Sequence, residues 1–256
     1  MAACKVCEEP LILEVEDDEN EGQTQQVPDD LQLGCGCHFH WSCLMDQASD
    51  LAMSLKCPAC QAQVATNPAG PSVTNPFLHT SSGMTIPTKY TNEGGVQDNF
   101  DVLPSVTEEA YLAANPEARP ARAFHVMCGE GDVGGIVELL QDLEQDETSM
   151  SVGKLIRYQD PLAANKTGLH LAVEKGQEEV IWLLLWLASP LATELFPEAA
   201  LAAAQSMGLQ QRPSNSSADD IRAFQDSQGR TAEAVASGLG GVLMKVVEAG
   251  VLHPGA

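Results

Sequence analysis

The spacing of its cysteines constrains this chain more than any other feature. All but one of its eight cysteines lie between residues 4 and 60, and His40 lies among them. Together they give eight potential metal ligands: Cys4, Cys7, Cys35, Cys37, His40, Cys43, Cys57 and Cys60. A Cys-x-x-Cys turn places two thiolates on one side of an ion, and such pairs in series are typical of zinc sites. The pattern therefore predicts two structural zinc ions, each held by four donors.

The order of these ligands resembles that of a RING finger. In that family a Cys-x2-Cys pair precedes a variable loop, a Cys-x-His pair, a His/Cys-x2-Cys pair, a second variable loop and a final Cys-x2-Cys pair. The resemblance covers residues 1–62 and implies a small zinc-bound ββα domain. It also implies cross-brace binding, in which the first ion takes Cys4, Cys7, His40 and Cys43. The second ion would then take Cys35, Cys37, Cys57 and Cys60.

One position departs from the family pattern, because Cys37 stands where histidine is usual. Thiolate is an equally good zinc ligand. His38 is the competing candidate, but ligation by both His38 and His40 would leave a single residue between the two ligands. We therefore assign Cys37 as the ligand and expect His38 at the surface or beside a ligand. The alternative is a different cross-braced or treble-clef zinc module with a purely structural use.

Acidic side chains dominate the charge of the chain. The formal net charge is −23, from 36 acidic and 13 basic residues. Such a surface repels phosphate backbones and no local basic patch offsets it, so we expect no nucleic-acid partner. The acids are concentrated in residues 8–30, which contain no lysine or arginine. We interpret this run as the first variable loop, solvated and largely disordered; docking of a basic partner there is a weaker alternative.

The sequence shows no targeting or membrane-spanning segment. The amino terminus lacks the basic-then-apolar pattern of a signal peptide. The longest apolar run, residues 180–188, is too short to span a bilayer, so we expect no membrane partner. Zinc sites require reduced thiols, which cytosolic and nuclear compartments maintain. We therefore expect a cytoplasmic or nuclear protein.

The composition changes after the last zinc-ligand pair. Residues 61–95 hold Pro68, Pro71, Pro76 and Pro87 among asparagine, serine, threonine and glycine residues. Proline removes backbone donors and polar side chains bury little apolar surface. We therefore predict a flexible linker over 63–104, with a turn at residues 93–95.

From residue 105 onward the sequence predicts helices. A capping box, Ser105-x-x-Glu108, predicts a short helix through Ala114 that caps the helical region after it. A pattern then recurs around three reference glycines: Gly131, Gly176 and Gly238. Each glycine is expected to end one helix in the left-handed conformation, and the next helix carries apolar residues at helical spacing. Because one such helix pair cannot bury its apolar face alone, neighbouring pairs must stack.

The segment Thr167-Gly-Leu-His-Leu-Ala and the pattern after it resemble an ankyrin repeat. The resemblance implies a helical stack over residues 105–256, with units near 118–144, 160–188 and 225–252. Ankyrin repeats recur at about 33 residues, and these glycines are farther apart. We therefore expect inserts at 145–159 and 189–223, with an extra helix at 197–207 and a polar loop at 210–220. The overall expectation is a mainly α chain with a small zinc-bound ββα domain.

Three features of the repeat region could suggest a site, and we interpret each as structural. His170 is the position that ankyrin-like repeats use to satisfy backbone groups of a turn. Cys128, three residues after His125, is interpreted as a small buried apolar residue rather than a thiolate–imidazole nucleophile. Trp182 and Trp186 lie on one helix face and are expected in the core, although exposed tryptophans there would mark a peptide site.

The RING resemblance implies a ubiquitin ligase, which performs no covalent chemistry itself and needs no catalytic residue. Such a domain binds a ubiquitin-conjugating enzyme and positions its ubiquitin thioester for attack by a substrate lysine. Family contact positions map to Val6 and Pro58. Gln47 and Gln61 depart from the family, since many ligases have a tryptophan at the first position and an arginine or lysine at the second.

The ankyrin resemblance implies a surface for a protein substrate or adaptor, because stacked repeats present an extended concave face. The leading hypothesis is therefore a RING ubiquitin ligase with an ankyrin-like binding region. The alternative, motivated by the two glutamines, is a zinc-stabilised interaction scaffold without ligase activity.

Overall fold

The computed structural model describes residues 2–16, 24–66, 83–145, 150–209, 212, 219–239 and 243–254. The chain divides into two compact units, Met1–Pro116 and Glu117–Ala256. About 50% of the structure is helical and the sheets are small. The prediction of a mainly α chain with a small β component is therefore confirmed.

The described part of the first unit contains three helices and two antiparallel sheets. The helices are α1 (Trp41–Met45), α2 (Ala48–Ser54) and α3 (Leu103–Ala114). One sheet is the hairpin of β1 (Ile12–Glu16) and β2 (Thr24–Pro28). The other has the order β4-β3-β5-β6 and comprises β3 (Asp30–Leu33), β4 (His38–Phe39), β5 (Pro87–Asn92) and β6 (Gly95–Asp101).

The acidic segment 8–30 contains a hairpin where the sequence predicted a largely disordered loop. β1 and β2 pair over their whole length, from Ile12 opposite Pro28 to Glu16 opposite Thr24. Few of the acids fall within the strands, and isoleucine and valine in them favour the extended backbone. The prediction of disorder is therefore wrong for 12–16 and 24–28, while residues 17–23 lie outside the described residues.

The predicted linker contains a second hairpin, which belongs to the first unit. β5 pairs with β3, and β6 continues the same sheet. Ile86 and Val102, which flank this hairpin, are fully buried in the apolar cluster that α1 and α2 also form. The linker prediction is wrong for residues 87–101, because threonine and tyrosine favour strands and the expected turn closes the hairpin. Residues 67–82 lie outside the described residues.

α3 begins two residues earlier than predicted and also belongs to the first unit. The N–H of Leu103 donates to Asp101 Oδ1 over 3.1 Å, and the same oxygen accepts from the Ile86 N–H over 2.8 Å. Asp101 therefore satisfies the start of the helix, and Ser105 does not cap it as the pattern predicted. Val106 and Ala110 are buried in the core of the first unit. The boundary expected at residue 105 thus moves to residue 117.

The described part of the second unit is built from helices. They are α4 (Arg119–Glu130), α5 (Val133–Gln145), α6 (Val152–Ile156), α7 (Gly168–Lys175), α8 (Glu178–Ala188), α9 (Glu198–Ser206), α10 (Ala232–Leu239) and α11 (Met244–Glu248). Short 3₁₀ turns lie at Pro116–Ala118, Pro161–Ala163, Thr193–Leu195 and Ile221–Ala223. α4 packs against α7, α7 against α10, and α5 against α8. The helix pairs therefore lie side by side and share one apolar core.

Two of the three reference glycines end a helix as predicted. Gly131 and Gly176 follow α4 and α7 with φ values of 84° and 72°, the left-handed conformation that glycine adopts at low cost. Gly238 lies inside α10 instead, so the prediction is wrong there. The helix continues through Gly238 to Leu239, although an internal glycine costs about 1 kcal/mol relative to alanine. The extra helix predicted at 197–207 is confirmed by α9.

His170 joins two neighbouring loops of the second unit. Thr167 and His170 form a reciprocal capping box at the start of α7, with Thr167 Oγ1 2.8 Å from His170 Nδ1. The opposite nitrogen, Nε2, donates to the carbonyl oxygen of Arg230 over 3.0 Å. Burial lowers the pKa of His170, so the imidazole is neutral in this position. The structural role predicted for this histidine is confirmed.

The close approach of α4 to the start of α7 leaves no room for a side chain at Gly168. A Cβ there would lie 2.8 Å from Cys128 Sγ and 2.8 Å from a ring carbon of Phe124. We expect Gly168→Ala to lower the free energy of unfolding of the second unit by about 1–3 kcal/mol. Hydrogen exchange in urea, resolved by mass spectrometry, measures each unit separately. Gly153→Ala in α6 is the matched control, since its Cβ would meet nothing closer than 3.8 Å; equal loss in both variants would contradict the prediction.

The burial of the second hairpin predicts that it stabilises the first unit. Ile86 is fully buried, whereas Val96 on β6 is 56% exposed. We expect Ile86→Ala to reduce the free energy of unfolding of the first unit by about 2–5 kcal/mol, because a buried aliphatic side chain is removed. Val96→Ala is expected to change it by less than about 0.5 kcal/mol. Exchange rates of the β3 amides report the difference, and identical rates in the two variants would show that the hairpin is dispensable.

Candidate metal centres

The structure brings the predicted ligands together in two groups of four. Within each group the ligand atoms all lie within 4.8 Å of one another. A tetrahedral zinc ion with bonds of about 2.3 Å separates its ligands by roughly 3.8 Å, so both groups have the size that zinc requires. The first group is Cys4, Cys7, His40 and Cys43, and the second is Cys35, Cys37, Cys57 and Cys60. The groups interleave along the chain, which is the predicted cross-brace order.

The Cys4–Cys7 turn is closed by two backbone hydrogen bonds. The N–H of Glu8 donates to the carbonyl of Cys4 over 3.0 Å, and the N–H of Cys4 donates to the carbonyl of Glu9 over 3.0 Å. Glu8 has a φ of 63°, a left-handed conformation that is uncommon for a residue with a side chain. The chain therefore reverses directly after the second cysteine, which turns both thiols toward one side.

The Cys57–Cys60 turn repeats this geometry. The N–H of Gln61 donates to the carbonyl oxygen of Cys57 over 2.9 Å, and the N–H of Cys57 donates to the carbonyl oxygen of Ala62 over 2.8 Å. Gln61 has a φ of 62° and occupies the position that Glu8 occupies in the first turn. The two Cys-x-x-Cys segments thus adopt the same turn, each presenting its cysteine pair to a different ion site.

The Cys35–Cys37 pair lies at the tip of the β3–β4 hairpin. Gly36 between them has a φ of 85°, which explains why the turn contains glycine. The N–H of Leu33 donates to the carbonyl of Cys37 over 3.0 Å and closes the tip. The pair therefore extends from the sheet toward the Cys57–Cys60 turn.

His40 is oriented for metal binding by a backbone partner. Its Nε2 lies 2.8 Å from the carbonyl oxygen of Pro10. Because a carbonyl only accepts, Nε2 carries the proton and Nδ1 keeps a free lone pair. Nδ1 lies 3.3 Å from Cys7 Sγ and 3.8 Å from Cys43 Sγ, inside the first group. The tautomer that this hydrogen bond selects is the one that binds a cation.

The thiols of both groups have perturbed pKa values. Burial raises the pKa of Cys4, but backbone N–H groups of Cys7, His40 and Val6 outweigh it and bring the pKa to about 6. The Ala62 N–H lowers the pKa of Cys60 to about 7. Burial and the neighbouring thiols raise the pKa values of Cys37 and Cys43 to about 12. Crowded thiolates repel one another, so a divalent cation is the species that favours deprotonation of a whole group.

A buried carboxylate that the sequence did not single out positions the ligands. Asp29 accepts hydrogen bonds from the Trp41 N–H, at 3.0 and 3.2 Å, and from the Tyr90 hydroxyl at 3.1 Å. The Trp41 N–H opens α1, so Asp29 fixes the helix start between His40 and Cys43. Burial and the Asp29 charge raise the pKa of Tyr90 to about 12, which keeps the hydroxyl protonated as a donor. In the sequence, the sign of this role was an aspartate directly before the buried β3 strand. It could not be singled out, because it lies among the other acids of residues 8–30.

The remaining predicted residues fall outside the two groups. His38 Nδ1 lies 2.7 Å from Asp30 Oδ1, so this histidine pairs with a carboxylate rather than a metal group. Val6 is 44% exposed in the first turn, and Pro58 is half-buried in the second. The Gln61 side chain donates from Nε2 to the carbonyl of Pro58 over 3.2 Å. Gln47 directly precedes α2 and is half-buried.

Cys128 is placed as a structural residue. It is fully buried, and burial raises the pKa of its thiol. No hydrogen bond joins it to His125 in the described part of the chain, and His125 is itself buried beside Tyr158. A thiol in such surroundings is a poor nucleophile. The interpretation of Cys128 as a buried apolar residue is confirmed.

Comparison with known protein-family models, curated proteins and solved structures found no match for this chain. None of the described helices combines the length and the apolar character that crossing a bilayer requires.

The interleaved grouping predicts how many metal ions each cysteine variant keeps. We expect the purified chain to hold two zinc ions, and Cys7→Ala or Cys60→Ala to hold one, because each removes a donor from a different group. Native mass spectrometry counts the ions in each chain. Cys128→Ala is the matched control and is expected to keep both ions. A Cys7→Ala protein that retains both ions, or a control that loses one, would contradict the assignment.

Proposed function

We propose that the first unit binds two zinc ions and acts as the RING-type domain of a ubiquitin ligase. The observation that carries the proposal is the interleaving of the two ligand groups. Zinc in each group would have four protein ligands and no position for water, so it would supply shape rather than chemistry. The chain would then act by holding a ubiquitin-conjugating enzyme and its thioester-linked ubiquitin in a reactive geometry.

The conjugating enzyme is proposed to contact the two equivalent turns. Val6 is exposed in the Cys4–Cys7 turn, and Pro58 lies in the Cys57–Cys60 turn. Both turns are closed by matched backbone hydrogen bonds, so their apolar side chains are held in fixed directions. Rigid apolar contacts lose little conformational entropy on binding, which favours a small transient interface of this kind.

The second unit is proposed to bind a protein substrate or adaptor. Its helix pairs lie side by side, and a stack of this kind presents a continuous surface built from several pairs. The strongly acidic chain makes a protein a better partner than a nucleic acid.

A second candidate function is a zinc-stabilised scaffold without ligase activity. Gln61 favours it, because the RING resemblance leads us to expect an arginine or lysine that clamps ubiquitin at this position. The Gln61 side chain instead donates to the Pro58 carbonyl within its own turn. The two functions differ in one measurable respect, the transfer of ubiquitin.

Autoubiquitination with a panel of conjugating enzymes tests the ligase proposal on zinc-loaded protein. We expect transfer with at least one enzyme, and we expect Val6→Asp or Pro58→Ala to slow it about tenfold by removing a contact of about 1.4 kcal/mol. Leu13→Asp is the matched control, since Leu13 is also exposed but lies on β1. If zinc-loaded protein is silent with every enzyme, and Gln61→Arg does not restore transfer, the scaffold function is the correct one.

A further inference from the structure

A surface cavity of about 510 Å³ lies within the second unit, between α8, α9 and the turn that joins α4 to α5. Pockets of about 300–1,000 Å³ with mainly apolar walls are the common form of binding site for small ligands and side chains. The apolar part of this wall includes Val133, Trp182, Leu183, Trp186, Phe196 and Met207. The cavity therefore has the volume and the lining of a recognition pocket.

The aromatic wall of the cavity is held rigid. Trp186 meets Phe196 edge to face, with ring centroids 5.3 Å apart, and Trp182 lies 5.6 Å from the same ring. The Arg212 guanidinium lies 4.9 Å from the Phe196 centroid and 5.4 Å from that of Trp186. It donates to carbonyl oxygens at the end of α8, including those of Leu185 and Ser189. A wall fixed in this way needs little ordering when a ligand binds.

The charges at the cavity have one sign. Glu178 and Glu179 line it and are exposed, and no lysine or arginine is among its described lining residues. The whole chain carries a net charge of −23, so the long-range potential has the same sign. Arg212 does not reverse this, because it is not among the lining residues and its single charge is outnumbered by the two carboxylates. The cavity repels anions and attracts cations.

Trp182 contributes to the cavity wall but keeps its indole N–H inside that wall. It is 9% exposed, and its indole Nε1 has no acceptor among the described residues. A ligand in the cavity would therefore contact the aromatic ring rather than the N–H.

We propose that this cavity binds a short peptide segment of a partner protein, in which apolar side chains are flanked by lysine or arginine. The apolar side chains would fill the space against Trp182 and Trp186, and the basic ones would pair with Glu178 and Glu179. Anionic ligands are disfavoured by the rim, and neutral apolar ligands leave both carboxylates unused. The proposal is independent of ligase activity, since the cavity lies in the second unit alone.

Three synthetic peptides test the proposal on the full chain. The probe is acetyl-Lys-Arg-Leu-Leu-Lys-Arg-amide, and the controls replace its basic residues with glutamate or its leucines with serine. The readout is the indole N–H signal of each tryptophan in nitrogen-15 spectra. We expect the probe to shift the Trp182 and Trp186 signals saturably, with a Kd on the order of 10–100 μM, while the Trp41 signal stays fixed. Each control peptide is expected to bind at least about tenfold more weakly.

Two adjacent alanines of α9 give a matched pair of variants. Ala203 lines the cavity, whereas its exposed neighbour Ala202 does not. Ala203→Arg places a bulky cation in the cavity and is expected to weaken the probe at least about tenfold, while Ala202→Arg leaves its affinity unchanged. Both residues are exposed, so neither change disturbs the core.

Each outcome decides the proposal. Selective binding of the probe that Ala203→Arg removes supports it. Equal binding of the glutamate peptide, no saturable shift with any peptide, or equal effects of the two variants would overturn it. The remaining possible occupant is a second copy of this chain, which sedimentation velocity tests. Self-association that only Ala203→Arg abolishes would identify that copy as the ligand and reject the basic peptide. None of these readouts involves ubiquitin, so their failure is distinguishable from failure of the ligase proposal.

Discussion

The first unit depends on donors that are distant in sequence meeting in two interleaved groups. Cys4 and Cys7 meet His40 and Cys43, while Cys35 and Cys37 meet Cys57 and Cys60. Each group therefore closes a loop that contains part of the other, so the two groups together fix the path of the whole segment. The apolar core around them is small, and buried Cys4 and Cys57 are themselves part of it. Loss of a metal ion would therefore also disturb the packing around these two cysteines.

The sequence predicted this part of the structure well because cysteine spacing is a local chemical constraint. A Cys-x-x-Cys turn has few conformations that bring both thiols to one ion, and both such turns adopt the same one. The grouping by four came from the family resemblance, since spacing alone does not state which pairs meet. Gly131 and Gly176 were predictable for a similar reason, because a left-handed residue after a helix strongly favours glycine.

The sequence failed where long-range contacts decide the structure. Residues 87–101 are polar and contain Pro87, so their composition indicates a linker, yet β5 finds a partner in β3 more than fifty residues earlier. Asp29 is one of many acids in its segment, and only the fold shows that it holds the start of α1 and the Tyr90 hydroxyl. In both cases the partner determines the role, and the local sequence does not name the partner. Gly238 is the reverse case, because a residue that usually ends helices lies inside one.

The same turns that hold the ligands also position the proposed contact residues, so binding of the conjugating enzyme would depend on metal binding. Val6 and Pro58 lie between the cysteines of their turns, and left-handed residues Glu8 and Gln61 close those turns directly after the second thiol. A side chain in the left-handed region costs about 1 kcal/mol or more, so this conformation persists only where the surroundings enforce it. The backbone bonds of each turn contribute, and ligation of both thiols by one ion would supply the rest. Loss of either ion would then release one of the two contacts while leaving the other turn closed.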